Sequence, residues 1–165
     1  MSEPVSEPRW LTRDERAAWL ALLSTTTLLP TALDAPLQKA AKVSLFDYNV
    51  LAMLSEATDG TLPMTELAAR TSASLSRLSH VAKKLQARGL VERNAHHEDA
   101  RVTATSITAA GRELIQELAP LHVNVVRSLV FDHLDERDVA DLARIGQKII
   151  RGLDPEHWIL RTPAP

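Results

Sequence analysis

The feature that most constrains the fold is a short helical segment joined by a tight turn to a longer one. Residues 64–70 favour a short helix with one apolar face, and the polar sequence TSA follows at 71–73. Ser74 is a suitable N-cap for a second helix, which ends at Gly89. Apolar residues recur in that helix at steps of three and four. This spacing predicts a buried stripe made of Leu75, Leu78, Val81, Ala82 and Leu85.

Two short β-forming stretches follow this pair of helices. Residues 90–93 and 102–107 are rich in apolar and β-branched side chains, and the polar sequence NAHHEDA lies between them. The pattern predicts a two-stranded hairpin with an extended tip. Two helices joined by a tight turn form a helix-turn-helix, and a hairpin placed after it is a wing. The predicted fold class is therefore mostly α with a small β-hairpin wing.

Apolar helices flank this unit on both sides. Thr12 begins a capping box at the start of the first helix, and Pro30 and Pro36 predict that this helix is kinked or broken. After the wing, Thr108 is expected to cap a long apolar helix with a kink at Pro120, and another amphipathic helix follows it. These helices carry more apolar surface than one short chain can cover. A two-fold dimer would bury that surface, so the sequence predicts a homodimer.

The basic charge of the chain is concentrated in one segment. The protein has a formal net charge of -2, but residues 70–101 contain seven basic and three acidic residues. The segments before and after are both net acidic. A basic segment within an acidic protein is the electrostatic pattern of a nucleic-acid-binding surface.

The composition excludes several classes of protein. A length of 165 residues suits one compact domain with helical extensions. Cysteine is absent, which excludes structural disulfides, thiolate metal sites and a thiol redox switch. The chain lacks an uninterrupted apolar run of about 18 residues, and its first residues do not have the pattern of a signal peptide. We therefore expect a cytoplasmic protein with no membrane partner.

Three sequence motifs in and around the predicted wing resemble the MarR family of bacterial transcriptional regulators. They are LQARGLVER at residues 85–93, EDAR at 98–101 and SITAAGREL at 106–114. The stretches SLSRLSHV and HVNVVRSLVFDHL are similar to actinobacterial members of the family. The resemblance implies a homodimeric winged helix-turn-helix regulator that binds a palindromic operator in double-stranded DNA. It also implies a repressor that a small aromatic or phenolic effector releases from DNA.

On this basis the chain divides into three segments. Residues 1–43 form an N-terminal arm and dimerisation helix, and residues 44–107 form the winged helix-turn-helix DNA-binding domain. Residues 108–165 supply the C-terminal dimerisation helices and a tail. A dimer of this kind places two recognition helices about one turn of DNA apart, roughly 34 Å.

The second helix of the helix-turn-helix is the element expected to contact DNA bases. Arg77 has a planar fork that matches the O6 and N7 acceptors of guanine, so it is the candidate for sequence reading. Lys83 and Lys84 are expected to neutralise phosphates and so to position the helix on DNA. The other predicted DNA contacts of this helix are Ser74, Ser76, Ser79 and His80.

The wing is expected to make a second set of DNA contacts. The resemblance implies that Arg101 enters the minor groove while Asp99 braces the tip of the wing. A guanidinium held by a carboxylate suits the concentrated negative potential of a narrow minor groove. The family carries an arginine between these two positions, where this chain has Ala100. At the base of the hairpin, Arg93 is a predicted phosphate contact.

The resemblance also implies an effector cleft between the dimerisation helices and the winged unit. An apolar wall with a few polar groups is the usual lining of a small-molecule site. Ordinary packing or a dimer contact is the alternative interpretation of each candidate residue. The candidates are Trp19, Tyr48, His122 and Arg127.

Other chemistries have little support in the sequence. The pair His96-His97 lies in a hairpin tip, where adjacent residues point in different directions, so no zinc site is predicted. Ser76 and His80 share a helix face without the oxyanion hole or the G-x-S-x-G context of a hydrolase. We expect no catalysis, metal or cofactor. The alternative function is a winged-helix protein-interaction module that binds an acidic partner without sequence-specific DNA binding.

Overall fold

A computed structural model, which describes residues 8–95 and 103–161, is mostly helical with one small antiparallel sheet. The helices within these ranges are α1 (Arg13–Ala41), α2 (Leu45–Glu56), α3 (Met64–Arg70), α4 (Leu75–Ala87), α5 (Ala109–Leu129) and α6 (Glu136–Leu153). The strands are β1 (Thr61–Pro63), β2 (Val91–Ala95) and β3 (Thr103–Ile107). Short 3-10 helices lie at Phe131–His133 and Trp158–Leu160. The predicted fold class is confirmed.

The wing hairpin is part of a sheet of three strands in the order β1-β3-β2. The hairpin of β2 and β3 was predicted, but β1 was not. It pairs antiparallel with β3 and places Leu62 opposite Thr105. Because β1 has three residues and ends at Pro63, it is too short to show the alternation by which a strand is recognised in a sequence.

The sequence predicts a kink or a break in α1, and the break does not occur. Thr12 and Glu15 form the predicted capping box, with N···O distances of 2.8 and 3.2 Å, and the helix then continues through Pro30 and Pro36. A proline removes one backbone hydrogen bond of a helix and leaves those on either side of it. In a helix of 29 residues the remaining bonds are numerous enough to keep it continuous. α5 likewise continues through Pro120.

The buried stripe of α4 is narrower than predicted. Leu78, Val81, Ala82 and Leu85 are buried, but Leu75 is 50% exposed and the prediction for it is wrong. Successive residues of a helix are about 100° apart, which places Leu75 at the edge of the stripe rather than at its centre.

The hydrophobic core lies between α2, α3, α4 and the sheet, and both long helices contribute to it. α1 supplies Leu37, which is 1% exposed, and α5 supplies Ile115 and Leu118. All three segments of the chain therefore meet in one core. The largest fully buried apolar side chains are Leu37, Val43, Val50, Leu51, Leu54, Leu67, Leu78, Leu85 and Val91.

Large apolar faces of α1 and α6 are uncovered in the single chain. α6 has no buried residue, and all of α1 before residue 29 is exposed. By length and composition α1 is also the one described helix that could cross a membrane, and a helix of a protein interface carries the same kind of surface. The exposed apolar residues are Trp19, Leu20, Leu22, Leu23 and Leu28 in α1, and Val139, Leu142, Ile145, Ile149 and Leu153 in α6.

Candidate nucleic-acid interface

The helix-turn-helix consists of α3, a turn at residues 71–73 and α4. The Thr71 hydroxyl donates to the Leu67 carbonyl at 2.7 Å, and Ser72 adopts a left-handed φ of 50° in the turn. Ser74 is the N-cap of α4, as predicted, because its hydroxyl oxygen accepts from the Arg77 backbone N–H at 3.2 Å. These contacts fix the direction in which α4 leaves the turn.

The face of α4 opposite its buried stripe is polar and exposed. Ser76, His80 and Lys83 lie on this outward face, with Ser79 half-buried at its edge. Lys83 has no carboxylate partner within the described part of the chain. The outward face therefore presents donors, acceptors and one uncompensated cation to the solvent.

Two of the predicted DNA contacts lie instead on the flank of α4 that faces α2. The Arg77 guanidinium carbon lies 4.1 Å from the centre of the Phe46 ring, a cation–π contact. Lys84 Nζ lies 2.5 Å from Asp47 Oδ2, and the Asp47 side chain is only 1% exposed. The structure thus divides the basic residues of α4 into an outward one and two that contact α2.

Sequence reasoning missed two residues of this region. Asp47 pairs with Lys84 across 37 positions and also accepts from the Ser44 backbone N–H at 2.9 Å. Arg88 donates to the carbonyls of Ala41 and Lys42, at 3.1 Å each, where α1 ends. The only sequence signal for either residue was the capping-box spacing of Ser44 and Asp47. A capping box involves residues three positions apart, so it does not indicate that Asp47 pairs with a residue far along the chain.

The structure describes the base of the wing but not its tip. Arg93 lies on β2 opposite Thr105 and is half-buried, and its Nε has no hydrogen-bond partner in the described residues. Arg101, Asp99 and the pair His96-His97 fall outside the described residues. Within the described ranges, no three histidine or carboxylate side chains are placed to hold a metal ion.

Of the four candidate effector-binding residues, the structure brings two together. The rings of Tyr48 and His122 are 4.4 Å apart between centroids, where α2 packs on α5. Arg127 is exposed and lies 3.5 Å from Asp132, and Trp19 is 51% exposed on α1. Tyr48 and His122 therefore form a small aromatic cluster that Trp19 and Arg127 do not join in the single chain.

The surroundings of Tyr48 and His122 shift the pKa of both side chains. Burial lowers the pKa of His122 below its ordinary value of 6.5. Burial, and to a smaller extent the Glu56 carboxylate, raises the pKa of the Tyr48 hydroxyl. Both shifts favour the neutral side chain.

We expect the His122 shift to make the fold less stable in mild acid. Because the folded chain holds the imidazole proton less tightly, the unfolded chain protonates first as the pH falls below about 6.5. The free energy of unfolding should decline from there to the lowered pKa. Urea denaturation at about pH 7.5 and about pH 5.5 measures this, and the decline should be smaller in His122→Gln than in the exposed control His133→Gln. Equal declines in the free energy of unfolding in both variants would show that His122 does not cause the loss of stability in acid.

A helix-turn-helix followed by a hairpin wing, with a third strand from just before α3 added to the sheet, defines the class of winged helix-turn-helix proteins. A sequence model of the MarR family matches residues 43–102. The whole chain is similar to Sco3205 of Streptomyces coelicolor, a MarR family transcriptional regulator solved in complex with DNA, with 36% identity and a TM-score of 0.87. This match covers 92% of the present chain and 94% of Sco3205.

Two further transcriptional regulators are also similar to this chain. AbsC of Streptomyces coelicolor, also a MarR family transcriptional regulator, is 33% identical with a TM-score of 0.85, over 90% of this chain and 100% of AbsC. The HTH-type transcriptional repressor YetL of Bacillus subtilis is 27% identical over 89 residues. That match covers 54% of this chain and spans about half, 53%, of the length of YetL. The chain belongs to the MarR family of transcriptional regulators.

Proposed function

We propose that this protein is a cytoplasmic, homodimeric repressor that binds a palindromic operator in double-stranded DNA. The observation that carries the proposal is the outward face of α4, which is polar and exposed and carries Lys83. It belongs to the second helix of a helix-turn-helix, in a fold that Sco3205 uses in a complex with DNA. The name of YetL supports repression rather than activation.

The proposed contact surface combines this face with the wing. Ser74, Ser76, Ser79 and His80 offer short donors and acceptors for base edges or phosphate oxygens, and Lys83 offers a phosphate contact. Arg93 and Arg101, with Asp99 as the brace, extend the surface into the wing. Arg77 is exposed, and its proposed base contact requires its cation–π contact with Phe46 to open.

The uncovered apolar faces of α1 and α6 support the homodimer. Large apolar side chains in a continuous exposed face are rare on monomeric proteins and common at interfaces. In an isologous dimer the same faces of both chains are covered at once. The dimer would also supply the second recognition helix that a palindrome requires.

The groove between α1 and α5 supports the proposed aromatic or phenolic effector. It is an open groove with a volume of about 760 Å³ and a mostly apolar lining, with Lys39 as a charged group that suits a phenolate or carboxylate. Leu121 lines it, and the next residue is His122, which contacts Tyr48. To release DNA, an effector in this groove must have a higher affinity for the conformation of the dimer that does not bind DNA. Its affinity for the DNA-binding conformation must be lower. The lining residues are Ala32, Ala35, Pro36, Lys39, Ala40, Leu121 and Val125.

The test is selection of the preferred duplex from a random-sequence library, followed by titration of that duplex and a scrambled one at two salt concentrations. We expect a palindromic selected sequence, bound about a thousandfold or more tightly than the scrambled duplex. Weak and equal binding to both duplexes would contradict the proposal and favour the protein-interaction module.

Lys83→Ala should weaken binding to the selected and scrambled duplexes alike. Loss of one phosphate contact lowers the slope of log affinity against log salt concentration by about 0.9. The matched control is Lys148→Ala, which removes an exposed cation from α6 and should leave the slope unchanged. If Lys83→Ala keeps the full slope, the outward face of α4 does not lie on the DNA backbone.

A further inference from the structure

The flank of α4 that faces α2 carries a cation held by a buried carboxylate. Lys84 Nζ lies 2.5 Å from Asp47 Oδ2, and the exposed fractions of the two side chains are 45% and 1%. The same oxygen accepts from the Ser44 backbone N–H at 2.9 Å, and Asp47 Oδ1 has no partner in the described residues. Lys84 is thus the only described cation that compensates this buried charge. If it moved to a phosphate, Asp47 would stay buried without its counter-ion, which is strongly unfavourable.

A second cation ties the C-terminal end of α4 to the end of α1. The last carbonyls of a helix have no partner within the helix. Arg88 donates one hydrogen bond to the carbonyl of Ala41 and one to that of Lys42, both at 3.1 Å. Lys42 itself caps α1 in a left-handed conformation with φ of 55°. The Arg88 fork therefore occupies acceptors that α1 leaves open.

The contact of Lys84 with Asp47 agrees with the orientation in which α4 buries its apolar stripe. Lys83 and Lys84 are adjacent, so about 100° of rotation about the helix axis separates them. With Lys84 held against α2, Lys83 points away from the core, together with Ser76 and His80. A rotation of α4 that exchanged the two lysines would turn the proposed contact face away from DNA.

We propose that Lys84, held by Asp47 and assisted by Arg88, is a positioning residue of the recognition helix and not a phosphate contact. This inference rests on the proposed DNA-binding function and names how its contact face is oriented. It replaces the expectation, drawn from the sequence, that Lys83 and Lys84 have the same role.

The experiment measures affinity and salt dependence for the selected duplex with Lys84→Met and Asp47→Asn. Lys84→Met should lower the affinity about tenfold or more, as expected when at least one base contact is misplaced, with the salt slope unchanged. Asp47→Asn keeps the lysine charge and removes a negative charge near the DNA, yet it should also lower the affinity. A phosphate contact predicts the opposite on both counts: a slope smaller by about 0.9 for Lys84→Met, and unchanged or higher affinity for Asp47→Asn.

Controls separate this inference from the proposed function. If Lys83→Ala lowers the slope while Lys84→Met keeps the slope but loses affinity, both stand. If Lys84→Met lowers the slope as Lys83→Ala does, or if both Lys84→Met and Asp47→Asn bind with wild-type affinity, the positioning role is overturned and the DNA interface stands. If Lys83→Ala keeps the full slope, the proposed interface fails. Should Asp47→Asn not fold, the slope of Lys84→Met decides alone, and Lys84→Arg, which can restore the ion pair, should recover most of the affinity.

Discussion

Replacing Leu142 by Asp should convert the proposed dimer into monomers and lower the affinity for the selected duplex by about a hundredfold or more. Leu142 is 51% exposed and lies in the middle of the apolar face of α6, beside Ile145. In a dimer that covers this face, the new carboxylate would be buried without a partner. A monomer also loses the gain of binding two linked half-sites at once. Light scattering after size exclusion measures the mass, and titration of the selected duplex measures the affinity.

The matched control places the same charge on the other side of the same helix. Gln147 is exposed and lies about 140° around α6 from Leu142, so Gln147→Asp should remain dimeric and bind DNA with little change. A dimeric Leu142→Asp variant would show that the apolar face of α6 is not part of the interface. Loss of dimerisation in both variants would point to α6 as a whole rather than to its apolar face.

Gly111→Ala should lower the free energy of unfolding by about 1 to 3 kcal/mol, although alanine is the better helix former. Gly111 lies in the first turn of α5, and a Cβ there would be 2.2 Å from the Leu90 carbonyl oxygen and 2.8 Å from Ile107 Cγ1. The Leu90 carbonyl accepts from the Thr108 backbone N–H at 3.1 Å, so moving it disturbs the junction between β3 and α5. Urea or thermal denaturation measures the loss.

Gly152→Ala is the control for this substitution. No atom lies within 4 Å of a Cβ built at Gly152, so alanine should leave stability unchanged or raise it by up to about 1 kcal/mol. The changes in the free energy of unfolding of the two variants should therefore have opposite signs or clearly different sizes. Equal stability of Gly111→Ala and Gly152→Ala would mean that α5 does not pack against the Leu90 backbone as closely as described.

The parts of the fold that the sequence predicted depend on local signals. Ser74 as the N-cap of α4, the capping box at Thr12 and the cap of α5 at Thr108 each involve residues three positions apart, so a linear sequence displays them. The hairpin of β2 and β3 follows from two adjacent β-forming stretches. The family could be inferred because its most specific motifs are short and continuous.

The parts that the sequence did not predict depend on contacts between distant segments. Periodicity separates the buried from the exposed residues of α4, but it does not show which exposed cation has a partner. Lys84 looked equivalent to Lys83 because Asp47 is 37 positions away and resembled an ordinary capping residue. The contact of Arg77 with Phe46 is hidden for the same reason. The tip of the wing, with Arg101 and Asp99, remains a prediction.

The shared core described for this chain limits how far the protein can be treated as a set of modules. The interior behind α4 is completed by Leu37 of α1 and by Ile115 and Leu118 of α5, which come from helices assigned to dimerisation. A winged unit transplanted onto another scaffold at residues 44 and 107 would lose those three side chains and expose the cavity that they fill. The winged unit and the two long helices therefore form one packed body, and neither can be exchanged without repacking the other.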